Sequence, residues 1–364
     1  MRFYLSATLF LFLNGMSPGA EQSQPHTVTP KEVADGWILL FDGNTTFGWK
    51  VDGDAKVSDG VLRLGGTKAT MAKTTTEFGD FSLGFDYRPE GPGVSTLILG
   101  KHTVSLKDRP IKPSEFLGYR LDKELEISDR PRGIEIRIPA GSELVLRNMV
   151  LRPSNLRPLF NGKDLTGWKE FPGKKSKFSI TPEGWINIKD GPGDLQTEGQ
   201  FDDFILQIEC ISNGKNLNSG VFFRCRANEY QNGYEAQIHN GFSALPVKEY
   251  TLEEFDPLTH KKIGQKKVKY TANDYGTGAI YRRQPARFQV AKDNEWFTMT
   301  VVAHANHFSV WVNGIGVTDW TDNRPPADNA RNGYRKEKGH ISLQGHDPTT
   351  DLSFRNIRIA EMKK

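Results

Sequence analysis

The sequence predicts an all-β protein made of two tandem β-sandwich, or jelly-roll, domains. A ten-residue phrase, FDGNTTFGWK at residues 41–50, returns as FNGKDLTGWK at residues 160–169. A repeat at that spacing indicates two copies of one domain rather than a solenoid of short units. Elsewhere, short apolar segments with period-two alternation dominate, and helical periodicity is scarce. Many short strands with few helices are typical of sandwiches and jelly rolls.

The repeat continues beyond this phrase and sets the domain boundaries. Residues 78–81 reappear at 201–204, and residues 146–149 reappear at 354–357. The second copy is therefore longer than the first, and its additional residues are where function is expected. The predicted divisions are a leader at residues 1–20, a first domain at 35–152, a linker at 153–158 and a second domain at 159–364.

The strand predictions rest on alternation, which buries one face of each strand. The clearest segments are residues 81–87, 134–138, 204–209, 297–302 and 307–312. Asn313-Gly314 directly follows the last segment and predicts a tight turn, because both residues tolerate positive φ. The long polar stretch at residues 244–278 predicts a loop insertion over one face of the second domain, a common place for a binding lid.

The N-terminus is typical of a secretory signal peptide. Arg2 precedes an apolar run from Leu5 to Leu13, and small residues follow as far as Ala20. The run is too short to span a bilayer. We therefore expect a periplasmic or secreted protein without a membrane span. The net charge is only +4, and the basic run at residues 261–267 contains no aromatic residues, so no nucleic-acid partner is expected.

Cysteine usage gives little support for a disulfide or a zinc site. Export would permit a bridge between Cys210 and Cys225, the two cysteines of the chain. A simple hairpin turning at residues 213–218, however, would pair Cys210 with Val221 rather than with Cys225. A bridge needs Cα atoms within roughly 7 Å, so this register disfavours one. Two cysteines without clustered histidines do not make a zinc site.

Polar residues accumulate within predicted strands of the second copy. Alternation places Glu235, Gln237 and His239 on one face of one strand, and Gln344 and His346 on one face of another. Such a row is either an ordinary solvent-facing surface or a polar face built to bind a ligand. The first copy has no counterpart to either row, which predicts that only the second domain carries a site.

Further matches give the second domain a specific resemblance to the 3-keto-disaccharide hydrolase family. They run in order through nearly the whole domain, whereas the first domain resembles the family at its ends and at residues 78–81 only. At His239 this chain departs from the family, which more often has an acidic residue there. The matching segments are residues 159–168, 218–224, 233–238, 278–281, 295–296, 343–346 and 354–357.

The resemblance implies a concanavalin-like jelly roll and a substrate already oxidised to a ketone at sugar C3. The ketone acidifies the C2 proton, so a base can remove it, an enolate forms and the C1 glycosidic oxygen leaves. Water then adds to the resulting double bond. This route needs a base with a pKa near neutral and a donor or cation at the enolate oxygen. It does not need the paired carboxylates of ordinary glycosidases.

Within this chemistry each polar residue receives a hypothetical role. His346 is the expected base, since histidine titrates near neutral pH, and Glu235 either orients it or replaces it. Arg224 is expected to stabilise the enolate or to hold a sugar hydroxyl. A divalent metal held by His239, Glu235 and His346 stays open as an alternative. The expected substrate-binding residues are Gln237, His239, Tyr281, Gln344, Trp185 and Trp296.

Two other functions stay open from the sequence. One is a non-catalytic carbohydrate-binding protein, which would need no acid–base histidine. The other is an ordinary glycoside hydrolase, which would need a second acidic residue opposite Glu235, with Asp347 or Asp274 available. A keto-glycoside enzyme would in turn depend on a sugar 3-oxidoreductase as an upstream partner. The two domains alike have Arg147 and Arg355 at one repeat position, which indicates a shared structural pairing with a carboxylate.

Overall fold

Nearly all of the regular secondary structure in the described residues is β-strand. The computed structural model describes residues 28–106, 115–121, 131–241, 246–270 and 275–363, so the predicted signal peptide lies outside the described residues. Within these ranges the single helix is α1 (Pro30–Ala34), capped by Thr29. No described helix is long and apolar enough to cross a membrane. The predicted all-β class is confirmed.

In the described part of the first sandwich, eleven strands form two antiparallel sheets. They are β1 (Ile38–Leu39), β2 (Trp49–Asp52), β3 (Ala55–Ser58), β4 (Val61–Gly66), β5 (Thr70–Thr74), β6 (Phe81–Glu90), β7 (Ser95–Leu99), β8 (His102–Leu106), β9 (Leu117–Leu121), β10 (Ile134–Ile138) and β11 (Ser142–Pro153). The larger sheet has the order β3-β4-β11-β6-β9, with β1 paired to β11. The smaller sheet has the order β2-β5-β10-β7-β8.

The second sandwich has the same plan with additions. Its strands are β12 (Arg157–Pro158), β13 (Trp168–Glu170), β14 (Lys177–Ile180), β15 (Ile186–Lys189), β16 (Gly193–Thr197), β17 (Phe204–Ser212), β18 (Ser219–Cys225), β19 (Tyr234–Ile238), β20 (Lys248–Phe255), β21 (Lys262–Tyr270), β22 (Phe297–His304), β23 (His307–Val312), β24 (Ile315–Thr321), β25 (His340–Gly345) and β26 (Asp351–Glu361). The larger sheet runs β14-β15-β26-β17-β22-β23-β24, with β12 paired to β26. The smaller sheet runs β13-β16-β25-β18-β19.

The sequence repeat is therefore a repeat of topology. Strand by strand, β2-β5-β10-β7-β8 occupies the positions of β13-β16-β25-β18-β19. The first five strands of each larger sheet correspond in the same way. The additions in the second copy are β23, β24 and the separate pair β20–β21. The two tandem jelly-roll domains predicted from the sequence are present.

The tryptophans of the repeated phrase act as core anchors in both domains. Trp49 and Trp168 are buried. The Trp49 indole N–H donates to the Leu40 carbonyl over 2.6 Å, and that of Trp168 donates to the Leu159 carbonyl over 2.9 Å. Each indole thus ties the start of the smaller sheet to the chain nine residues earlier. This explains why both copies retain the phrase although only one has the polar rows.

The paired arginines also have a structural role, as predicted. Arg355 donates to the Glu209 carboxylate over 2.7 Å, and the neighbouring Asn356 donates to the same group over 2.6 Å. In the first domain Arg147 lies 3.5 Å from Asp86. In both domains the register shifts near this point, so the arginine marks a bulge between the two longest paired strands.

The Asn-Gly turn is confirmed. Asn313 and Gly314 have φ of 48° and 74° and connect β23 to β24, where Val312 faces Ile315. Positive φ at both central residues matches the twist of a tight hairpin. The Gly314 carbonyl also accepts a hydrogen bond from the Leu39 amide over 2.7 Å, which links the turn to the first domain.

The insertion predicted as an irregular loop contains a β-hairpin instead. Strands β20 and β21 pair along their lengths as a separate two-stranded sheet. Tyr250, Leu252 and Tyr270 pack against the core of the second domain, while the charged residues between them face outward. The high charge of the segment concealed an alternation that has one apolar face.

The first domain packs on the outer face of the larger sheet of the second domain. Ile205, Val302 and Trp311 point away from their own core and join the apolar cluster of the first domain. The Trp311 indole donates to the Leu39 carbonyl over 2.9 Å. The first domain therefore covers one side of the second sandwich. The smaller sheet lies on the opposite side.

The two cysteines are free and buried. The hairpin assumed for them from the sequence is wrong, because Cys210 lies in β17 of the larger sheet and Cys225 in β18 of the smaller sheet. Cys210 faces Phe297 and Phe354 across its own sheet, and Cys225 faces His340. The connection between β17 and β18 crosses from one layer of the sandwich to the other.

Candidate active site

The outer face of the smaller sheet in the second domain carries a continuous layer of polar side chains. Strand pairing places Asp194 opposite Gln344 and Gln196 opposite Ser342. On the other side of β18, Glu235 and Gln237 project from β19 opposite Phe222 and Gly220. The apolar residues between them, such as Leu195 and Leu343, face the core. We define the polar layer as Asp194, Gln196, Glu235, Gln237, Ser342 and Gln344.

All six side chains of the polar layer are buried, and most have polar atoms without a hydrogen-bond partner among the described residues. Buried polar atoms are hydrogen-bonded in about nine cases out of ten. Leaving one unsatisfied costs about 1–3 kcal/mol, so a cluster on one face indicates a surface organised to bind a polar molecule. The atoms without a protein hydrogen-bond partner are Asp194 Oδ1, Gln196 Nε2, Gln237 Nε2, Ser342 Oγ and Gln344 Oε1.

Asp194 belongs to the polar layer but is not among the site residues predicted from the sequence. It is 0% exposed, and its Oδ2 accepts a hydrogen bond of 3.0 Å from the Gln231 amide. Burial raises the pKa of Asp194 to about 6, although hydrogen bonds from Gln231 and the charge of Lys174 oppose the rise. The sequence does contain a pattern that could have identified it. Asp194 and Gln196 flank Leu195 in the same way as Glu235 and Gln237 flank Ala236.

Glu235 lies at the opposite edge of the polar layer. A Cβ atom on Gly220, its neighbour on β18, would lie 2.5 Å from Glu235 Oε1, so only glycine leaves room for this side chain. Glu235 also lines a cavity of about 230 Å³ together with Tyr281 and three arginines. The Tyr281 amide donates to the Glu235 carbonyl over 3.0 Å. Tyr281 is thus beside the polar layer, as a substrate-contacting role would require. The three arginines are Arg282, Arg283 and Arg331.

His346 stands at one end of the polar layer, two residues beyond Gln344. Its side chain is 42% exposed, and its Nδ1 lies 2.8 Å from Asp347 Oδ2. Its Nε2 lies 3.4 Å from the amide nitrogen of Asn218. The carboxylate that orients His346 is therefore Asp347, and the expected role of Glu235 as the orienter is wrong. Burial alone would raise the pKa of Asp347, but hydrogen bonds from Thr349 and His346 hold it below its usual value.

His239 lies at the same end of the sheet as Asn218. It follows Ile238, which pairs with Ser219, and it is buried. Its amide donates to Thr277 Oγ1 over 2.8 Å. The described residues contain no group of three His, Cys, Asp or Glu side chains arranged to hold a metal ion. The predicted metal ligands His239, Glu235 and His346 are thus not brought together.

Arg224 is not part of this site. It is 0% exposed, and its guanidinium donates to the Asp203 carboxylate over 2.9 Å and to the Ala305 carbonyl over 2.7 Å. Its φ is +51°, and the register between β18 and β25 shifts between Phe222 and Cys225. This bulge turns Arg224 out of the alternation on which the catalytic prediction relied. Its bonding partners give it a structural role instead.

Trp185 and Trp296 do not face the polar layer either. Their rings contact each other edge to face at 4.9 Å. The guanidinium of Arg355 lies 4.0 Å from the Trp296 ring centroid. Because Arg355 points outward from the larger sheet, both tryptophans lie on the side of the sandwich opposite the polar layer. Their predicted role as sugar-stacking surfaces at the site is wrong.

The corresponding face of the first domain has no such layer. Met71 and Lys73 of β5 occupy the places of Asp194 and Gln196, and Met71 is exposed. Glu135 on the neighbouring strand forms an ion pair of 2.5 Å with Arg137. This surface therefore satisfies its own charges in solvent. A site on the smaller sheet is a property of the second domain.

The jelly-roll fold and the polar layer together indicate a protein of the carbohydrate-active class. The chain belongs to the family of the 3-keto-alpha-glucoside-1,2-lyase-like domain, whose model matches residues 36–143 and 155–360. The resemblance seen in the sequence is therefore confirmed, and it extends to the first domain. No curated protein matches the chain in sequence.

Several solved structures share parts of the fold. Two proteins of Parabacteroides distasonis, each named as a candidate glycosyl hydrolase, are 21% and 24% identical to this chain. Both alignments cover 57% of this chain, and they cover 94% and 100% of the two relatives, with TM-scores of 0.42 and 0.41. A carbohydrate-binding module, CBM66 from Bacillus subtilis, is 16% identical over 52% of this chain and 93% of its own length, with a TM-score of 0.32.

Proposed function

We propose that the second domain cleaves the glycosidic bond of 3-keto-glycosides, by elimination across C1 and C2 and subsequent hydration. The observation that carries the proposal is the polar layer, in which several buried donors and acceptors on one sheet face have no hydrogen-bond partner among the described residues. A sugar ring presents hydroxyl and carbonyl groups that could bind such donors and acceptors. Membership in the 3-keto-alpha-glucoside-1,2-lyase-like family supports the choice of a keto sugar.

In this proposal His346 removes the C2 proton. Its contact with Asp347 fixes the ring and stabilises the imidazolium that forms, which is how a carboxylate supports a histidine base. Its partial exposure leaves the ring accessible at the end of the polar layer. Glu235 is the alternative base, and Gln237, His239, Tyr281 and Gln344 hold sugar hydroxyls.

The spacing of the buried carboxylates disfavours an ordinary glycosidase. Asp194 and Glu235 lie on strands separated by β25 and β18. Three strand spacings put their backbones roughly 14 Å apart. The two carboxyls of a retaining or inverting glycosidase are only about 5–10 Å apart. Asp347 is committed to His346, and Asp274 lies outside the described residues.

The proposed substrate places the protein within a reaction sequence. Glycosides do not carry a ketone at C3 until an oxidoreductase acts on them, so such an enzyme must supply the substrate. The proposed signal peptide at residues 1–20 would direct the protein to the periplasm or outside the cell. Oxidation and cleavage would then take place in one compartment or be linked by transport of the keto sugar.

The test is release of 4-nitrophenol from 4-nitrophenyl 3-keto-α-glucoside. Wild type is expected to release it, and His346→Ala is expected to lower kcat/KM by about 10²–10⁴, the usual contribution of a general base. His102→Ala, in β8 of the first domain, is the matched control and should behave as wild type. A parallel assay with a chelator tests the metal alternative. Binding of the keto sugar without any release would instead assign a carbohydrate-binding function.

A further inference from the structure

The two carboxyl oxygens of Asp194 have different surroundings. Oδ2 accepts a hydrogen bond from the Gln231 amide, whereas the buried Oδ1 has no hydrogen-bond partner among the described residues. Across the strand pair stands Gln344, whose Oε1 likewise has no partner. One face of this carboxyl is therefore held by the protein while the other is directed into the polar layer.

From this arrangement we infer that Asp194 is the acid that protonates the departing glycosidic oxygen. The inference rests on the proposed function. Asp194 faces Gln344, and His346 follows Gln344 by two residues, one position past the end of β25 at Gly345. Continuing the strand pairing by one residue would make the two groups diagonal neighbours. Diagonal neighbours in an antiparallel sheet are about 7–8 Å apart. A base on C2 and an acid on the C1 oxygen, each within about 3 Å of its target, need a separation of this size.

The protonation state of Asp194 suits this role. Burial raises the pKa of Asp194 to about 6, so a share of the protein carries the neutral acid near neutral pH. An acid with a pKa close to the working pH gives up its proton readily and regains it after each turnover.

The proposed steps balance. His346 takes the C2 proton, and the C–H electron pair forms an enolate with the C3 ketone. The enolate then restores the ketone as the C1–C2 double bond forms and the C1–O bond breaks. The departing oxygen takes the proton of Asp194 and leaves as an alcohol. In the hydration step a water molecule adds at C1 and gives a proton back to Asp194, while the imidazolium of His346 returns its proton to C2. The net reaction is hydrolysis, and both residues are regenerated.

Substrate entry then requires movement of the chain that covers Asp194. Gln231 touches the carboxyl directly, and the Lys174 ammonium lies 3.8 Å from the centroid of the neighbouring Tyr230 ring. Because Asp194 is 0% exposed, a sugar can reach Oδ1 only if this cover is displaced. Gln231 is therefore expected to change position when substrate binds.

The test compares two leaving groups. The 4-nitrophenolate ion leaves without protonation, whereas methanol must be protonated as it departs. Asp194→Asn is expected to lower kcat about 10²–10³-fold on methyl 3-keto-α-glucoside, within the usual range for a general acid, and less than 10-fold on the 4-nitrophenyl substrate. Asp351→Asn is the matched control, since it makes the same substitution on the larger sheet, away from the polar layer. It should leave both rates unchanged.

A pH profile separates an acid from a merely structural residue. In wild type, kcat/KM on the methyl substrate should fall above the pKa of Asp194, and Asp194→Asn should abolish that alkaline decline. Asp194→Glu should restore part of the rate on the methyl substrate. Equal losses on both substrates, or no loss on either, would overturn the role of Asp194 while the proposed function stands. If wild type cleaves neither substrate, the proposed function fails, and this role fails with it.

Discussion

Replacing Asp194 by asparagine should make the protein more stable, which is an unusual expectation for a buried polar residue. Asp194 has a raised pKa in the folded protein, so folding disfavours its charged form. The folded state holds this proton more tightly than the unfolded state does. The stability linked to Asp194 is therefore full at pH values below the ordinary aspartate pKa and is lost as the pH rises through about 6.

The expected gain in the free energy of unfolding follows from the shift in the pKa of Asp194. The pKa of Asp194 rises from 3.8 to about 6, and at 1.36 kcal/mol per unit the ionised carboxylate costs about 3 kcal/mol above pH 7. Asparagine has nearly the same shape and no charge, so Asp194→Asn should recover most of that free energy. For a domain of this size, 3 kcal/mol corresponds to a Tm increase of about 6–12 °C. At pH 4, where Asp194 is neutral in the folded protein, the gain should be well under 1 kcal/mol.

The measurement is thermal and urea unfolding of wild type and Asp194→Asn at pH 8, pH 6 and pH 4. Asp351→Asn serves as the control, because the carboxylate of Asp351 accepts hydrogen bonds from Asn187 and Asn213 and its pKa is lowered despite burial. That substitution should destabilise the protein at pH 8. A destabilised Asp194→Asn variant, or a gain that does not vary with pH, would refute the reasoning about the buried carboxyl.

Two further predictions follow from buried charges elsewhere in the second domain. Arg224→Met should destabilise the protein by about 3–5 kcal/mol, because it leaves the Asp203 carboxylate without its buried partner, while the folded variant keeps its activity. Thermal unfolding and activity at low temperature check both parts. His307 has a pKa lowered by burial and by His304, which outweigh the attraction of Asp319. The stability linked to His307 should therefore be full above pH 7 and fall as the pH drops below about 6.5, and His307→Gln should flatten that dependence.

The predictions for Arg224 and His307 each have a control or a result that would contradict them. Arg157→Met removes an exposed ion pair with Glu361 and should cost less than about 1 kcal/mol. Loss of activity in Arg224→Met with an unchanged Tm would return Arg224 to a catalytic role. For His307, unfolding curves that decline equally with acid in wild type and variant would show that another group is responsible.

The repeated phrases predicted much of the fold because they encode local structure. The indoles of Trp49 and Trp168 reach a carbonyl nine residues earlier in the chain, and Arg355 marks a bulge within a single strand pair. Such features depend on residues close in sequence or on adjacent strands. The alternation at Glu235 and Gln237 likewise predicted that these residues share a face, and they do.

The incorrect site predictions concern features that alternation does not contain. The sequence of the strand places Arg224 within the alternating pattern. In the structure Arg224 lies at a bulge with a φ of +51°, and its side chain points towards Asp203. Trp185 has an aromatic ring with one polar N–H group, like many sugar-binding residues. It nevertheless lies on the side of the sandwich opposite the polar layer. Asp194 shares a face with Gln196 by the same alternation as Glu235 and Gln237, but alternation does not show that the carboxyl is buried.

By itself, then, the sequence determined the all-β class, the duplication, the anchors of each copy and the faces on which polar residues lie. The tertiary structure alone decided which faces are covered and which aspartate is shielded from solvent. The physical reason is that backbone alternation is set by neighbouring residues, whereas burial, desolvation and pKa depend on chain segments far away in sequence. For example, the main-chain amide of Gln231, 37 residues from Asp194 in sequence, donates a hydrogen bond to the Asp194 carboxyl.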